Sequence, residues 1–178
     1  SIFARATASG DRIFEILDRQ SEVQEKPDAV FPRRIDGAVD FENVEFAYEG
    51  EDVLRGISFS VRPGQVLGIV GGTGSGKSTV INLLPRFYDV TSGKILVDGR
   101  DVRDYRTAPL RESIGIVSQE TFLFGASLRE NISYGRPDAT EAGILLAAEA
   151  AQLDDFISSL PEGLDTVIGE RGTTLSGG

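Results

Sequence analysis

The chain has 178 residues, enough for one domain with a sizeable core, and its composition (40% hydrophobic, 26% charged) is that of an ordinary globular protein. Its formal net charge of −10 makes it a poor candidate for a nucleic-acid binder, because such proteins gain affinity largely from Lys and Arg on phosphates. It contains no Cys, which excludes disulfides and thiolate zinc sites, and no His, the commonest general base and metal ligand.

The front of the chain predicts a helix followed by a linker. Apolar residues between positions 2 and 18 fall near one face of a helix: Ile2, Phe3, Ile13, Phe14 and Leu17. Residues 20–37 are polar, contain Pro27 and Pro32 and have no apolar period, which is typical of a linker. We therefore expect the main domain to begin at residue 38.

Residues 39–61 predict two antiparallel strands. One alternation of apolar residues runs from Val39 to Tyr48. A second, over residues 57–61, follows a Glu-Gly turn and ends before Pro63. A continuous apolar run then covers residues 66–70, as expected of a strand buried on both faces.

The remainder of the chain alternates between helical and strand patterns. The predicted elements are strands at 94–97 and 114–117 and helices at 78–87, 107–113, 140–151 and 153–160. Ser127 and Glu130 have the spacing of a capping box, so a further helix should begin there. Strands that alternate with helices predict an α/β fold, to which residues 39–61 contribute an antiparallel β portion.

A glycine-rich loop lies between the apolar run and the next predicted helix. Its residues fit the pattern G-x-x-x-x-G-K-[ST]: Gly71, Gly72, Thr73, Gly74, Ser75, Gly76, Lys77 and Ser78. Glycines let backbone N–H groups close on phosphate oxygens, and the N-terminal end of a helix favours the same negative charge. Lys77 adds a full charge near the β- and γ-phosphates, and the Ser78 hydroxyl suits Mg²⁺. The loop alone predicts a nucleoside triphosphate site without separating kinases, GTPases and ATPases.

Four further features give residues 39–178 a resemblance to the nucleotide-binding domain of ABC transporters. Tyr48 resembles the A-loop residue that stacks on adenine, and Gln119 resembles the Q-loop glutamine that reaches Mg²⁺ and the attacking water. Residues 169–172, Gly-Glu-Arg-Gly, resemble the X-loop of exporters, which contacts the coupling helices. Residues 175–178, Leu-Ser-Gly-Gly, resemble the start of the signature motif.

This resemblance implies a fold, ligands and a partner. The fold is an α/β P-loop NTPase core with an antiparallel β subdomain and a helical subdomain, and it is incomplete at residue 178. The ligands are ATP and Mg²⁺, with Ser78 and Gln119 at the metal. Besides the loop, the implied nucleotide contacts are Tyr48, Thr79, Gln119, Ser176, Gly177 and Gly178. In the family the signature covers ATP held by the partner's loop, which implies a head-to-tail dimer of two nucleotide-binding domains.

The N-terminal part resembles exporters in particular. Residues 1–19 resemble the end of the last transmembrane-domain helix, residues 20–37 the linker, and residues 38–178 the front portion of the ATPase domain. Residues 121–125 and 127–132 also resemble the exporter pattern. The resemblance therefore implies a transmembrane domain in the same polypeptide, a place at the cytoplasmic face of a bacterial membrane, and export of a lipid or drug-like substrate. It implies no nucleic-acid partner.

The residues that cleave ATP in the family are expected beyond residue 178. Its Walker B aspartate, catalytic glutamate and switch histidine have no counterpart in this sequence, so we assign no catalytic residue. We expect the parent protein to hydrolyse ATP and this stretch alone to be inactive. We also expect the sequence to be either part of a longer chain or a poorly stable fragment, and an intact mass near 19.1 kDa would exclude the first.

Two alternative functions stay open at this point. The first is a soluble ABC ATPase that acts on nucleic acid or ribosomes, and apolar membrane spans upstream of residue 1 in the gene would exclude it. The second is a non-catalytic nucleotide-binding module. ATP turnover by the full-length protein, abolished by Lys77→Ala, would count against that module.

Overall fold

The structure is a computed structural model that describes residues 14, 17–18, 21–32, 34–119 and 122–169. The chain divides into two compact units, of which the first ends at Gly115 and the second begins at Ile116. Most of the predicted helix over residues 2–18 lies outside the described residues, but Phe14 and Leu17 are helical. Among the described residues, no helix has the length and hydropathy needed to cross a membrane.

An antiparallel sheet forms the framework of the first unit. Its strands are β1 (Val39–Tyr48), β2 (Glu51–Val61), β3 (Ser92–Val97) and β4 (Arg100–Asp101), in the order β2-β1-β3-β4. The predicted hairpin over residues 39–61 is confirmed, since β1 pairs with β2 from Val39↔Val61 to Tyr48↔Glu51. Glu49 and Gly50 make the turn with positive φ (48° and 89°), which suits the right-handed twist of a hairpin.

Two helices accompany this sheet, α1 (Lys77–Leu83) and α2 (Thr107–Glu112), and a 3₁₀ turn at Val102–Asp104 precedes α2. Helix α1 is shorter than the predicted 78–87. Arg86 has φ of 56°, its N–H donates to the Leu83 carbonyl (3.0 Å), and the Phe87 N–H donates to the Asn82 carbonyl (3.2 Å). This is the Schellman pattern that ends a helix with a left-handed residue.

The core of the first unit lies between one face of the sheet and the two helices. Val44, Leu83 and Leu110 are 0% exposed. The buried cluster consists of Phe41, Val44, Phe46, Leu54, Val80, Leu83, Ile95, Val97, Val102, Tyr105 and Leu110. Ile95 and Val97 of β3 alternate as expected when a strand turns one face inward, whereas an irregularity in β1 separates its buried Phe41 and Val44 by three positions.

Two predicted strands, at residues 66–70 and 114–117, do not form. Both segments lack helix and strand structure, Val66 is 98% exposed, and Val117 is fully exposed. The prediction rested on apolar runs, which indicate a tendency to be extended and buried. A strand also needs a hydrogen-bonded neighbour, and no described residue pairs with either segment. In the described residues, the sheet is therefore antiparallel throughout.

Part of the predicted linker, residues 24–31, packs against the first unit, and we call it the docked segment. Val30 forms a β-bridge with Tyr105. The Val30 N–H donates to the Asp104 carbonyl (2.9 Å), and the Arg106 N–H donates back to the Val30 carbonyl (2.9 Å). A single bridge of this kind leaves no apolar period in the sequence, which is why the composition of residues 20–37 did not predict it.

Glu25 joins the docked segment to the start of α2. Its carboxylate accepts hydrogen bonds from the Thr107 N–H (2.7 Å) and from Arg106 Nη1 (2.9 Å). The Thr107 N–H first, and then Arg106, hold the pKa of Glu25 below its ordinary value of 4.5. One residue earlier, the Gln24 carbonyl accepts a hydrogen bond from Arg86 Nη2 (2.8 Å). The docked segment is therefore hydrogen-bonded at two places: at Arg86, which follows α1, and at Arg106 and Thr107, where α2 begins.

Glu25→Gln is expected to loosen the docked segment, because the neutral amide loses charge-assisted hydrogen bonds. Amide hydrogen exchange should become severalfold faster at Arg106, whose N–H is bonded to Val30. Glu22→Gln, a matched change at an exposed carboxylate, should leave this rate unaltered. Because the folded pKa of Glu25 is lowered, its stabilisation is present above pH 4.5 and is lost as pH falls through the lowered value. Equal exchange rates in both variants would contradict this role of Glu25.

The second unit is helical in its described part, as the predicted helical subdomain requires. It contains α3 (Leu128–Ile132), α4 (Glu141–Ala150), α5 (Asp154–Ser159) and a 3₁₀ turn at Gly163–Asp165. The predicted capping box is confirmed, since the Ser127 hydroxyl accepts from the Glu130 N–H and the Glu130 carboxylate accepts from the Ser127 N–H. The hydrogen bonds from Ser127 hold the pKa of Glu130 below its ordinary value.

Candidate functional site

The glycine-rich loop of residues 71–78 leads directly into α1. Gly74 and Gly76 have φ of 77° and 86°, a region that residues with a side chain rarely adopt. A Cβ at Gly76 would lie 2.6 Å from Leu54 Cδ2, and a Cβ at Gly71 would lie 2.6 Å from Ser75 Oγ. Three of the four glycines of the pattern therefore have local reasons in this loop: Gly74 and Gly76 need positive φ, and a Cβ at Gly71 or Gly76 would meet a neighbouring side chain.

Lys77 folds back over this loop. Its Nζ donates to the carbonyls of Gly71 (2.9 Å) and Gly72 (2.6 Å), with a longer contact to Ser75 Oγ (3.4 Å). An ammonium group has three protons, so the loop alone can engage all of them. The positive charge is thereby held close to the backbone of the loop.

The backbone of the loop leaves several donors open. The Ser75 N–H donates to the Gly72 carbonyl (3.3 Å), but no other N–H between Gly74 and Ser78 donates to a described residue. Open N–H groups beside a lysine and at a helix start are the donor set that a phosphate group needs. The Ser78 side chain is exposed in the first turn of α1, whereas the predicted contact residue Thr79 is 6% exposed.

Tyr48 lies in an aromatic cluster that we define as Phe46, Tyr48 and Tyr88. The Tyr48 ring is nearly perpendicular to that of Phe46 (centroids 4.7 Å apart, 88°) and to that of Tyr88 (5.2 Å, 89°). Phe46 and Tyr88 also contact each other, with centroids 5.6 Å apart. A cleft of about 530 Å³ runs past this cluster, with Glu22, Val23, Ala47, Glu49, Asp89 and Thr91 as its other lining residues.

A chain of contacts connects the loop with this cluster. Gly76 lies against Leu54 of β2, and Leu54 is the cross-strand partner of Phe46 of β1. Phe46 in turn contacts the Tyr48 ring. The structure therefore brings the loop and Tyr48 to the same end of the β1–β2 hairpin, although the sequence separates Tyr48 from Lys77 by 28 intervening residues.

The other predicted site residues lie either in the second unit or outside the described residues. Gln119 is exposed and belongs to the second unit, so its place at a metal remains a prediction. Of the predicted X-loop, Gly169 is described and residues 170–172 are not. The predicted signature residues Ser176, Gly177 and Gly178 also lie outside the described residues.

Two residues of this region were missed by the sequence analysis. Tyr88 completes the aromatic cluster, and Arg86 is 2% exposed and binds Asp89 through Nε (2.6 Å). Neither belongs to an apolar period or a named motif. The residues that follow α1 could have drawn attention to Arg86, because a charged residue between apolar neighbours is rarely buried unless it is paired.

Residues 54–178 match the family model of the ABC transporter ATPase domain, described as "ABC transporter". Because this match covers well over half of the chain, the chain belongs to the ABC transporter family. The fold class predicted for the chain, an α/β ABC ATPase with an antiparallel β subdomain and a helical subdomain, is confirmed at the level of the family.

Among its relatives is an ATP-dependent lipid A-core flippase of Syntrophus aciditrophicus, 48% identical over 96% of this chain and 28% of the relative. A β-(1→2)glucan export ATP-binding/permease protein, NdvA of Rhodopseudomonas palustris, is 48% identical over 93% of this chain and 28% of its own length. A solved bacterial Atm1-family ABC exporter with ATP bound is 40% identical, with a TM-score of 0.88 over 98% of this chain and 31% of that one. The chain thus spans about a third or less of these relatives.

Proposed function

We propose that this chain is the ATP-binding part of an ABC exporter, which couples ATP binding and hydrolysis to export of a lipid or drug-like substrate. The observation that carries the proposal is the donor set of the loop. The Lys77 ammonium donates to the Gly71 and Gly72 carbonyls, and most N–H groups between Gly74 and Ser78 are open. The named relatives, which include a lipid flippase and a glucan exporter, support the exporter subtype.

In this proposal each loop residue has a distinct task. The N–H groups from Gly72 to Ser78 hold phosphate oxygens, and Lys77 balances the charge of the β- and γ-phosphates. The Ser78 hydroxyl and the Gln119 amide oxygen are the proposed Mg²⁺ ligands, since Mg²⁺ takes oxygen ligands. Tyr48 stacks on the adenine, and Thr79 supports the loop from its buried position.

The proposed active assembly contains two copies of this domain, arranged head to tail. Ser176 and the N–H groups of Gly177 and Gly178 would face the γ-phosphate that the partner's loop holds. The chain's own residues bind and orient the nucleotide, and the groups that activate water are proposed to lie beyond residue 178. We accordingly propose no catalytic residue within this chain.

The proposed second partner is a transmembrane domain of the same polypeptide, which would place this domain at the cytoplasmic face of a membrane. Residues 1–19 would end its last helix, residues 20–37 would be the linker, and residues 38–178 would open the ATPase domain. An exposed aromatic surface in the second unit, Phe122, Phe124 and Tyr134, supports a protein partner. Phe122 and Tyr134 are 63% and 67% exposed.

The proposal is tested by comparing ATP with AMP in calorimetric titrations of this chain with Mg²⁺ present. ATP should bind at least tenfold more tightly, because only its β- and γ-phosphates reach Lys77 and the open N–H groups. Equal affinities would show that the loop holds no triphosphate. ATP-dependent accumulation of a lipid in membrane vesicles that contain the complete gene product would then test the exporter subtype, and its absence would favour a soluble ATPase.

Tyr48→Ala is expected to weaken ATP binding by about 1 kcal/mol or somewhat more, roughly fivefold or more in the dissociation constant, because one stacking surface is lost. Tyr48→Phe should bind like the unchanged chain, since the ring is retained. Tyr134→Ala, which removes an exposed tyrosine of the second unit, serves as the matched control. An unaltered dissociation constant for Tyr48→Ala in the same titration would refute the assignment of the base contact.

A further inference from the structure

The Tyr48 ring contacts both other members of the aromatic cluster, Phe46 and Tyr88. Tyr48 is the last residue of β1, and the next residue, Glu49, already has φ of 48° in the turn. Its ring is nearly perpendicular to two neighbours, Phe46 at 4.7 Å and Tyr88 at 5.2 Å. Edge-to-face pairs of this kind are favourable at centroid distances of about 4.5–7 Å.

Tyr88 can act as a support because residues close to it in the chain are tied to the rest of the unit. The Asp89 carboxylate accepts two hydrogen bonds from the nearly buried Arg86, at 2.6 Å and 3.0 Å. Two residues further on, the Thr91 N–H donates to the Glu45 carbonyl (2.9 Å), and the Thr91 hydroxyl accepts from the Ala47 N–H (3.3 Å). The segment that carries Tyr88 therefore runs alongside the end of β1, next to Tyr48.

Phe46 and Tyr88 both contact the Tyr48 ring, but they differ in how deeply they are buried. Phe46 is 5% exposed and belongs to the buried core, whereas Tyr88 is 38% exposed and lines the cleft together with Tyr48. The Tyr88 hydroxyl forms no hydrogen bond with a described residue. The contact that Tyr88 makes with Tyr48 is thus made by its ring, and it can be removed without opening the core.

From these contacts we infer that Tyr88 is a positioning residue for nucleotide binding: its ring holds Tyr48 in the orientation that stacks on the base. This inference rests on the proposed function. A free Tyr48 ring would have to be ordered each time the base binds, and immobilising one side chain costs enough to weaken binding severalfold. Because Tyr88 orders the Tyr48 ring before the base binds, binding no longer includes that cost. Tyr88 acts through Tyr48 and does not contact the phosphates.

The test is a comparison of two ligands, Mg-ATP and Mg-tripolyphosphate, by calorimetric titration of the chain. Tyr88→Ala should weaken ATP binding about three- to tenfold, while the affinity for tripolyphosphate, which has no base, stays the same. Tyr88→Leu, which keeps apolar volume but no ring, should likewise weaken ATP binding and leave tripolyphosphate binding unchanged. Tyr88→Phe should bind both ligands like the unchanged chain.

The double variant Tyr48→Ala/Tyr88→Ala separates this inference from the proposed function. If Tyr88 acts through Tyr48, the double variant binds ATP no more weakly than Tyr48→Ala alone. Equal losses for ATP and tripolyphosphate, in Tyr88→Ala and Tyr88→Leu alike, would overturn the inference in favour of a general structural role. Unchanged ATP binding in both Tyr88 variants, with a loss in Tyr48→Ala, would overturn it and leave the proposed base contact intact. Unchanged binding in Tyr48→Ala would remove the proposed base contact itself, and the inference with it.

Discussion

Replacing Lys77 with alanine is expected to weaken ATP binding about 10- to 100-fold, because a charge-assisted hydrogen bond contributes about 1.5–3 kcal/mol. Lys77 Nζ lies 2.9 Å and 2.6 Å from the Gly71 and Gly72 carbonyls. The variant therefore loses a cation that the loop itself holds in place. Calorimetric titration with Mg-ATP measures the loss, and phosphate release by the complete gene product should fall to background.

Lys94→Ala is the matched control for this experiment. Lys94 lies in β3 of the same unit and pairs with Glu42 across the sheet at 2.9 Å, with about half of its side chain exposed. Exposed pairs of this kind contribute little, so this variant should bind ATP like the unchanged chain. If Lys77→Ala bound ATP as tightly as Lys94→Ala, the loop would not be the phosphate site.

Gly93→Ala is expected to destabilise the first unit by roughly 3 kcal/mol or more, since it adds backbone strain to a direct clash. Gly93 has φ of 77°, and a Cβ there would lie 2.3 Å from the Asn43 carbonyl oxygen and 2.4 Å from that of Glu42. Both atoms belong to the backbone of β1, which cannot move without breaking its pairing with β3. Urea denaturation followed by circular dichroism measures the change in the free energy of unfolding.

Comparison with Gly99→Ala separates the cost of the clash at Gly93 from the cost of the left-handed backbone. Gly99 has almost the same φ, 76°, but a Cβ there would have nothing within 4 Å. It should therefore show only the strain of a left-handed residue, about 1–2 kcal/mol. A Gly93→Ala variant no less stable than Gly99→Ala would contradict the close approach of β1 and β3 at this position.

Local patterns predicted the hairpin and the loop well, and the reasons are physical. The alternation of residues 39–61 and the Glu-Gly turn specify β1 and β2 because the two strands are adjacent in the chain. The pattern of residues 71–78 indicated the loop because three of its four glycines, Gly71, Gly74 and Gly76, have a conformational or steric reason close by. In both cases, the interacting groups lie within a short stretch of sequence.

Features that depend on distant partners could not be predicted in the same way. Residues 66–70 and 114–117 have apolar runs typical of strands, but no described residue pairs with them. The docked segment is held by Arg86 and Arg106, about 60 and 80 residues away along the chain. Contacts between residues so far apart produce no periodic pattern in the sequence. The contact of Tyr88 with Tyr48 likewise requires β1 and the segment before β3 to lie side by side.

The central claim, that the loop of residues 71–78 holds the phosphates of ATP, is tested most directly by backbone amide NMR of the chain during titration with Mg-ATP. We predict saturable shifts of the amides from Gly72 to Thr79, together with Tyr48. AMP should shift Tyr48 but leave Lys77 and Ser78 nearly unchanged, because it lacks the phosphates that those residues contact. Saturable ATP binding that leaves the amides of residues 72–79 unshifted, or that shifts only residues 116–169, would contradict the claim.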